Sequence, residues 1–258
     1  MLKKMIAILM VVALGAVAAG CFPFGSIVGR GEVETRNFDF SDFTKVEVSF
    51  TFDVEVVQSG GFSVSVTTNE NIFDYLALEK DGDTLRIKLK DGSYTVASLK
   101  ANVTMPDLFS VTVTGASKAA VSGFNSNHAL EVKATGASSV TLSAIKSGDA
   151  LFSAEGASRV KGALEAAGCN FSVEGASNIE LTGKSGFLNL IATGASHGTL
   201  KDFVSSGVSV QFSGASSGTV NTSGPLSGSL SGASSLRYFG NPALGEINTS
   251  GGSSVSPG

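Results

Sequence analysis

The tripeptide Gly-Ala-Ser returns through the C-terminal half of this 258-residue chain at an almost constant spacing. It occurs seven times, and an eighth copy reads Gly-Gly-Ser. The first glycines stand 18 to 21 residues apart, at Gly115, Gly136, Gly156, Gly175, Gly194, Gly214, Gly232 and Gly251. Periods of about 20 residues are typical of solenoids, in which each coil buries its apolar side only against neighbouring coils.

Apolar and polar residues alternate on both sides of each glycine. Positions two and four before it are mostly apolar, as in Val113 and Val111, whereas the position directly before it is polar in every repeat. A period of two is typical of strands with one buried face. Such units, stacked about 4.8 Å apart with right-handed crossovers, predict an all-β, right-handed parallel β-helix with about 20 residues per coil. A β-propeller is the alternative, but its blades need about 40 residues.

Residues 32–105 precede the repeats and alternate in the same way, as in "KVEVSF" and "TLRIKLK". The Asp-Gly pair in "EKDGDTLRIKL" predicts a β-hairpin, and "NENIFDYLAL" indicates a short helical turn. We therefore expect a single β-helix domain over residues 32–258. Its N-terminal coils would occupy 32–105 and its Gly-Ala-Ser repeat coils 106–258.

The first 20 residues combine two lysines, an apolar run and small residues before Cys21. This arrangement predicts a signal peptide for export over residues 1–20. The ending Ala18-Ala19-Gly20-Cys21 resembles the lipobox of bacterial lipoproteins, with Ala18 where Leu is more frequent. The resemblance implies lipidation at Cys21 and a membrane anchor. Residues 21–31 contain Pro and Gly and show no clear period, which predicts a short tether. A plain secretory signal cut near Ala19 is the alternative.

The repeated triplet could belong to a nucleophilic serine, a phosphate loop or a structural corner. A nucleophile needs one serine, one base and one orienting group, which eight equivalent serines cannot all have. Glycine accepts the positive φ of a tight turn, and a corner serine can bond to backbone or to the hydroxyls of stacked neighbours. We therefore expect a structural turn ladder, formed by Gly115, Ser117, Gly136, Ser138, Gly156, Ser158, Gly175, Ser177, Gly194, Ser196, Gly214, Ser216, Gly232 and Ser234.

The other reactive residues form no recognisable site in the sequence. His128 and His197 are the only histidines, and they are not grouped with further metal ligands. Cys169 falls in an apolar column, which predicts a small core residue. Glu155 and Glu174 share an outward column on adjacent coils, where they predict a solvated pair without the cleft of a glycosidase. We therefore expect no catalytic residue, no metal and no cofactor.

Charge and aromatic content narrow the choice of partners. The formal net charge is −4, and it becomes −6 when Lys3 and Lys4 are removed with the signal peptide. Without a basic cluster, nucleic acid is not an expected partner. The chain has no Trp and three Tyr, which argues against a sugar site built on aromatic stacking. Shallow polar binding along Ser and Thr rows stays open.

The segment from Gly31 onward resembles a known family. Phe43, Val46, the run Val54-Glu55-Val56 and Gln58, followed by a Gly-Asp-Thr-Leu hairpin and glycine turns every 20 residues or so, resemble the putative auto-transporter adhesin head GIN domain family. The family's turn is typically Gly-Ser-Gly, where this chain has Gly-Ala-Ser. The resemblance implies a pectin-lyase-like right-handed β-helix, often lipid-anchored, with an adhesion role and no catalytic residues.

Three functions follow as hypotheses. The first is a non-catalytic, lipid-anchored cell-envelope protein that binds a protein or glycan surface. The second is an inward-facing structural protein of the envelope, which could form a homo-oligomer through flat Ser/Thr faces. The third is a polysaccharide-binding or polysaccharide-degrading protein, which rests on fold analogy alone.

Overall fold

The computed structural model describes residues 25–258. Cys21 and the predicted signal peptide lie outside the described residues, so lipidation stays a prediction. The N-terminal part contains β1 (Ile27–Val28), β2 (Val33–Phe38), β3 (Lys45–Val48), β4 (Asp53–Gln58), β5 (Ser63–Asn69), a 3-10 helix (Glu70–Tyr75), β6 (Leu76–Asp81), β7 (Thr84–Leu89), β8 (Tyr94–Thr95) and β9 (Leu99–Met105). The 3-10 helix and the β6–β7 hairpin lie where the sequence predicts a helical turn and a hairpin.

The repeat part consists of strands separated by the glycine corners. They are β10 (Ser110–Val113), β11 (Lys118–Ser122), β12 (Leu130–Ala134), β13 (Ser139–Ala154), β14 (Arg159–Val173), β15 (Asn178–Ala192), β16 (His197–Phe212), β17 (Ser217–Thr222), β18 (Pro225–Leu230), β19 (Ser235–Phe239), β20 (Ala243–Thr249) and β21 (Ser254–Pro257). Within the described residues, no helix is both long and apolar enough to cross a membrane.

Each repeat forms one coil of the stack. After each glycine corner the chain runs along one side of the coil, which we call the post-corner side. It then bends and returns to the next glycine along a second side, which we call the pre-corner side. β13 covers this whole path, and its register to β14 shifts at the bend between Leu142 and Ile145. The predicted parallel β-helix is confirmed, because the structure is a β-solenoid with about 20 residues per coil.

Successive coils are parallel and in register, so equivalent residues form columns. Val140 pairs with Val160, and Val160 pairs with Ile179. All three side chains are fully buried. Burying a Val, Leu or Phe side chain contributes roughly 1.5–3 kcal/mol, and one continuous core repeats this contribution along the stack. The alternation in the sequence therefore becomes the wall of a filled solenoid.

Phe109 is an exception to the predicted inward columns. It is 40% exposed, and its ring stacks on that of His128 with centroids 3.7 Å apart. Leu108 is buried instead. The reason is that β10 begins only at Ser110, so the period of two does not extend back to Phe109.

The N-terminal end of the solenoid is covered by antiparallel strands. Two coils lie below the first Gly-Ala-Ser corner: β3 and β4 pair in parallel with β10 and β11, and β7 and β9 pair with β3 and β4. Antiparallel pairing then places β6 against β7, β5 against β9, and β2 against β5. Residues 32–105 therefore form two coils together with a cap, and the cap pairs the edges that the lowest coil would expose.

The C-terminal end differs from the capped end. Among the described strands, β20 pairs only with β18, and β21 pairs only with β19. The side chain of Leu244 in β20 is 55% exposed. The last coil therefore leaves one row of backbone groups and part of the apolar interior uncovered.

Candidate functional site

The backbone φ angle and the close packing of adjacent coils both require glycine at the corners. The φ values of these glycines lie between 68° and 80°. A Cβ added to Gly175 would lie 2.6 Å from the carbonyl oxygen of Gly156 in the coil below. The amide of Ala176 donates to that same carbonyl oxygen over 2.7 Å. A side chain at this corner would therefore push apart two coils that a hydrogen bond holds together.

Phe50 occupies the position below the first corner glycine. Its φ is 81°, and its carbonyl oxygen accepts the amide of Ala116 over 2.8 Å. The Phe50 ring meets Tyr94 edge-on at 5.3 Å, and Tyr94 meets Tyr75 in the same way at 5.7 Å. The turn ladder thus ends on an aromatic cluster, which packs against the N-terminal cap.

The serines of the turn ladder point into the solenoid. Seven of them are at most 2% exposed: Ser117, Ser138, Ser158, Ser177, Ser196, Ser216 and Ser234. At Ser138 and Ser158 the hydroxyl donates across the coil boundary, as from Ser138 to the Val113 carbonyl oxygen over 3.0 Å. In the upper coils it donates within its own corner, as from Ser216 to the Ser213 carbonyl oxygen over 2.8 Å. A buried hydroxyl bound to backbone stabilises the corner and does not meet a substrate.

The other candidate residues take structural places as well. Cys169 is buried, and this burial raises the pKa of its thiol from 9.0 to about 12. Glu155 lies on the surface with Lys133, whose Nζ is 3.5 Å from its carboxylate, and Glu174 accepts a hydrogen bond from Ser172. Over residues 25–258, no three His, Cys, Asp or Glu side chains group as metal ligands would.

His128 forms a small cluster with Asp107 and Phe109. Its Nε2 lies 2.8 Å from both carboxylate oxygens of Asp107, and its Nδ1 lies 2.9 Å from the Ala129 carbonyl oxygen. Burial by itself lowers the pKa of His128, but the hydrogen bonds to Ala129 and Asp107 outweigh it and raise the pKa above 6.5. Two acceptors face two ring nitrogens, so the protonated imidazolium satisfies both.

A polar groove crosses the post-corner side of the upper coils. Its volume is about 400 Å³, and its lining comes from four successive strands, β16, β17, β19 and β21. The lining residues are His197, Gly198, Thr199, Ser217, Gly218, Thr219, Ser235, Leu236, Arg237, Ser254 and Ser256. Two outward columns supply the walls, one on each side of the glycines. We call this feature the hydroxyl groove.

Two glycines of the hydroxyl groove take inward positions that hold larger side chains in the lower coils. Gly198 and Gly218 occupy the inward column that holds Val140, Val160 and Ile179 in lower coils. A Cβ on Gly218 would lie 2.5 Å from the Phe212 ring, and one on Gly198 would lie 3.1 Å from Leu190. Core side chains from the pre-corner side therefore fill the places that Val and Ile side chains occupy in the lower coils.

The charge of the hydroxyl groove comes from Arg237. Arg237 is exposed and, among the described residues, has no carboxylate within 4 Å. His197 lies on the adjacent outward column, and its Nδ1 is 2.6 Å from Ser217 Oγ. The residues that line the groove include no Asp or Glu. The groove therefore offers hydroxyl donors and acceptors together with one permanent positive charge.

The sequence alone does not predict this groove. It places His197 in an outward column, and the structure agrees, but the Ser and Thr rows give no sign of a concave surface. The signal present in the sequence is the consecutive replacement of Val or Ile by Gly at 198 and 218. The sequence does not show the effect of these glycines, because the side chains of Leu190 and Phe212 reach this column from the opposite side of the coil.

Comparisons with known proteins agree with this architecture. Comparison with curated proteins finds no match. A structure described as a putative adhesin from Parabacteroides merdae has a TM-score of 0.81 at 17% identity, covering 90% of this chain and 98% of the other. A putative adhesin from Parabacteroides distasonis has a TM-score of 0.81 at 19% identity, covering 90% and 100%. A structure from the same organism, described as a putative lipid binding protein, has a TM-score of 0.72 at 18% identity, covering 90% and 99%.

Identities this low establish a common fold and leave the ligands of each protein to be determined separately. The family comparison extends further, because residues 42–242 match the family described as "Putative auto-transporter adhesin, head GIN domain". That range includes the two lowest coils and all but one of the glycine corners. The protein with these stacked corners is thus a member of the auto-transporter adhesin head GIN domain family.

Proposed function

We propose that this protein is a non-catalytic, lipid-anchored cell-envelope β-solenoid that binds partner surfaces as an adhesin does. The observation that supports this function best is the position of the hydroxyl groove. It lies on the upper coils, at the end of the stack opposite the N-terminal cap. The first described strands, β1 and β2, also lie in the N-terminal part, where β2 joins the cap.

The height of the stack determines the distance between the groove and the cap. Coils rise about 4.8 Å each, so the coils that carry the groove stand roughly 20–35 Å above the first Gly-Ala-Ser corner. A lipid at Cys21 would hold the cap near the membrane, since each buried methylene contributes about 0.8 kcal/mol to membrane binding. The groove would then face away from the membrane, where a partner surface can reach it.

The chemistry of the groove favours binding over catalysis. Its walls are hydroxyls and one guanidinium, without the carboxylate pair that glycoside hydrolysis needs. The turn-ladder serines and Cys169 are buried. An acyl chain would also be poorly matched to this lining, so the lipid-binding description of one neighbour does not transfer through this groove.

The anchor is tested by comparing the natural protein with Cys21→Ser in cells fed an alkyne-tagged fatty acid. We expect label and membrane association in the natural protein only. The Cys169→Ser variant is the matched control and should keep both. Equal membrane association of the natural protein and Cys21→Ser would overturn the lipid anchor.

Outward display is tested by protease treatment of intact cells. We expect the solenoid to be cleaved or released from intact cells while an internal marker protein stays whole. Cells that lack the protein should also adhere less to host or neighbour cell surfaces, with adhesion restored by the natural gene. Complete protection in intact cells, with cleavage after lysis, would favour the inward-facing envelope protein instead.

A further inference from the structure

We propose that the hydroxyl groove binds an acidic polysaccharide, with Arg237 pairing to a sugar carboxylate. This inference rests on the proposed adhesion function and names the class of ligand that the groove would take. The hydroxyls of Thr199, Ser217, Ser235 and their column neighbours would bind the sugar hydroxyl groups.

The spacing of the groove walls matches a chain of sugars. Equivalent residues on successive coils lie about 4.8 Å apart along the axis. This distance is close to the length of one pyranose unit in an extended polysaccharide. A polysaccharide that lies along the axis would therefore meet, at each sugar, one residue from each of the two outward columns. Each Ser or Thr hydroxyl can donate one hydrogen bond and accept others, as a sugar hydroxyl also can.

The position of Arg237 favours an acidic sugar over a neutral one. It stands in the column of Thr199 and Thr219, one residue beyond Leu236, on the third of the four strands. Its guanidinium has no carboxylate within 4 Å among the described residues, and a guanidinium pairs with a carboxylate through two parallel hydrogen bonds. The chain as a whole is acidic, so a polyanion would need a local basic group such as Arg237 to bind.

The lining argues against a protein as the ligand. Protein interfaces depend on buried aromatic or aliphatic anchors that fill pockets. Apart from two glycines, Leu236 is the one apolar residue in the lining. It is 1% exposed because its side chain faces the core. A peptide would find no pocket for an anchor here, whereas a hydroxyl-rich ligand would find partners along both walls.

Binding to purified protein tests this assignment. The mature chain with Cys21→Ser would be titrated with a fluorescent alginate oligosaccharide, which has a carboxylate on every sugar, and with a neutral cello-oligosaccharide of equal length. We expect the acidic oligosaccharide to bind and the neutral one to bind at least about tenfold more weakly, a difference of about 1.4 kcal/mol. Comparable binding of both, or no binding of either, would overturn the proposal.

Two arginines on the same side of the solenoid provide a matched pair of variants. Arg237 lies in the groove, and Arg159 is exposed four coils below it on the post-corner side. We expect Arg237→Ala to weaken alginate binding about tenfold, with Arg237→Lys intermediate, and Arg159→Ala to leave it unchanged. Equal effects at the two positions would overturn a specific site and indicate general charge attraction. The melting temperature of each variant reports folding separately.

A hydroxyl variant and an acidic peptide complete the test. Thr199→Val keeps the shape of the side chain, and Thr199 makes no side-chain hydrogen bond within the described residues. We expect this variant to weaken alginate binding with little change in melting temperature. Polyglutamate should compete poorly, and competition equal to that of alginate would overturn a glycan in favour of an acidic peptide. If the natural protein supports cell adhesion but binds no alginate, this inference falls and the proposed function stands.

Discussion

The hydroxyl of Ser158 donates to the carbonyl oxygen of Ala134 in the coil below over 2.9 Å, inside a buried corner. Ser117 holds the equivalent position two coils lower, yet its hydroxyl has no hydrogen-bond partner among the described residues. The equivalent acceptor below it, the carbonyl oxygen of Val48, receives the hydroxyl of Thr114 instead, and the carbonyl oxygens of Val48 and Ala134 each also accept one backbone amide. Two serines in one column therefore contribute differently to stability.

Replacing each of these two serines by alanine should separate their contributions to the free energy of unfolding. We expect Ser158→Ala to lower the free energy of unfolding by about 1 kcal/mol, because the Ala134 carbonyl oxygen loses a buried donor. Ser117→Ala should change it by less than about 0.5 kcal/mol or raise it, because it removes a buried hydroxyl that is unsatisfied. Denaturant unfolding of both variants measures the difference. Equal losses would mean that the hydrogen bond at Ser158 is not the source of its effect.

Glycine at the corners should matter for packing as well as for φ. Gly82 in the β6–β7 hairpin has φ 59° and open space where a Cβ would stand, so Gly82→Ala introduces strain alone, about 1 kcal/mol. Gly175→Ala adds a contact of 2.6 Å with the Gly156 carbonyl oxygen and should cost clearly more. Thermal unfolding of the two variants compares these costs. Similar melting temperatures of the two variants would show that adjacent coils can move apart at the corner without a loss of stability.

The Cys169 thiol should be unreactive in the folded protein. Burial raises its pKa to about 12, and the thiolate is the reactive form. In a Cys21→Ser background, we expect no labelling by a thiol reagent at neutral pH until denaturant is added. Fast labelling of the native protein would contradict the buried position.

The same pKa shift predicts how stability depends on pH. Above pH 9 the unfolded chain releases the Cys169 proton, whereas the folded chain retains it to about pH 12. The contribution of Cys169 to stability is therefore complete below pH 9 and is lost as the pH rises toward 12. We expect the free energy of unfolding to fall more steeply over this range in the natural chain than in Cys169→Ala. Parallel pH profiles would contradict this prediction.

The His128 cluster should titrate above the ordinary range for histidine. Hydrogen bonds to Ala129 and Asp107 raise the pKa of His128 despite partial burial. The stabilisation is therefore complete at pH values below the pKa of the unfolded chain and is lost as the pH rises through the folded pKa. Proton NMR should show the His128 pKa falling in Asp107→Asn. An unchanged pKa in that variant would remove the carboxylate as a cause.

The sequence is sufficient to predict the repeated part of the fold. Glycines near every twentieth position, with Val111 and Val113 alternating against Thr112 and Thr114, allow only a stack of coils with one buried face. Parallel register then follows, because each coil repeats the pattern of the one below it. The turn ladder lies at the corners for the same reason.

The antiparallel cap could not be predicted in this way, since β5 and β7 show the same alternation although one belongs to the cap and the other to a coil. Partner and direction depend on which edge remains unpaired, and that is a property of the assembled fold. The hydroxyl groove escapes prediction for a related reason. Its lining includes Gly218, and Phe212 reaches from across the coil into the place where a Gly218 side chain would lie.

The hydrogen bonds between coils run along the solenoid axis, and this direction has a mechanical consequence. A force applied between an anchor at the cap and a ligand on the upper coils would also act along that axis. It would stretch all the backbone bonds of a coil boundary together, such as the boundary between β14 and β15, instead of breaking them one after another. A polysaccharide held across four strands would spread the same force over several coils. The protein would therefore resist sudden pulling better than its thermal stability alone suggests.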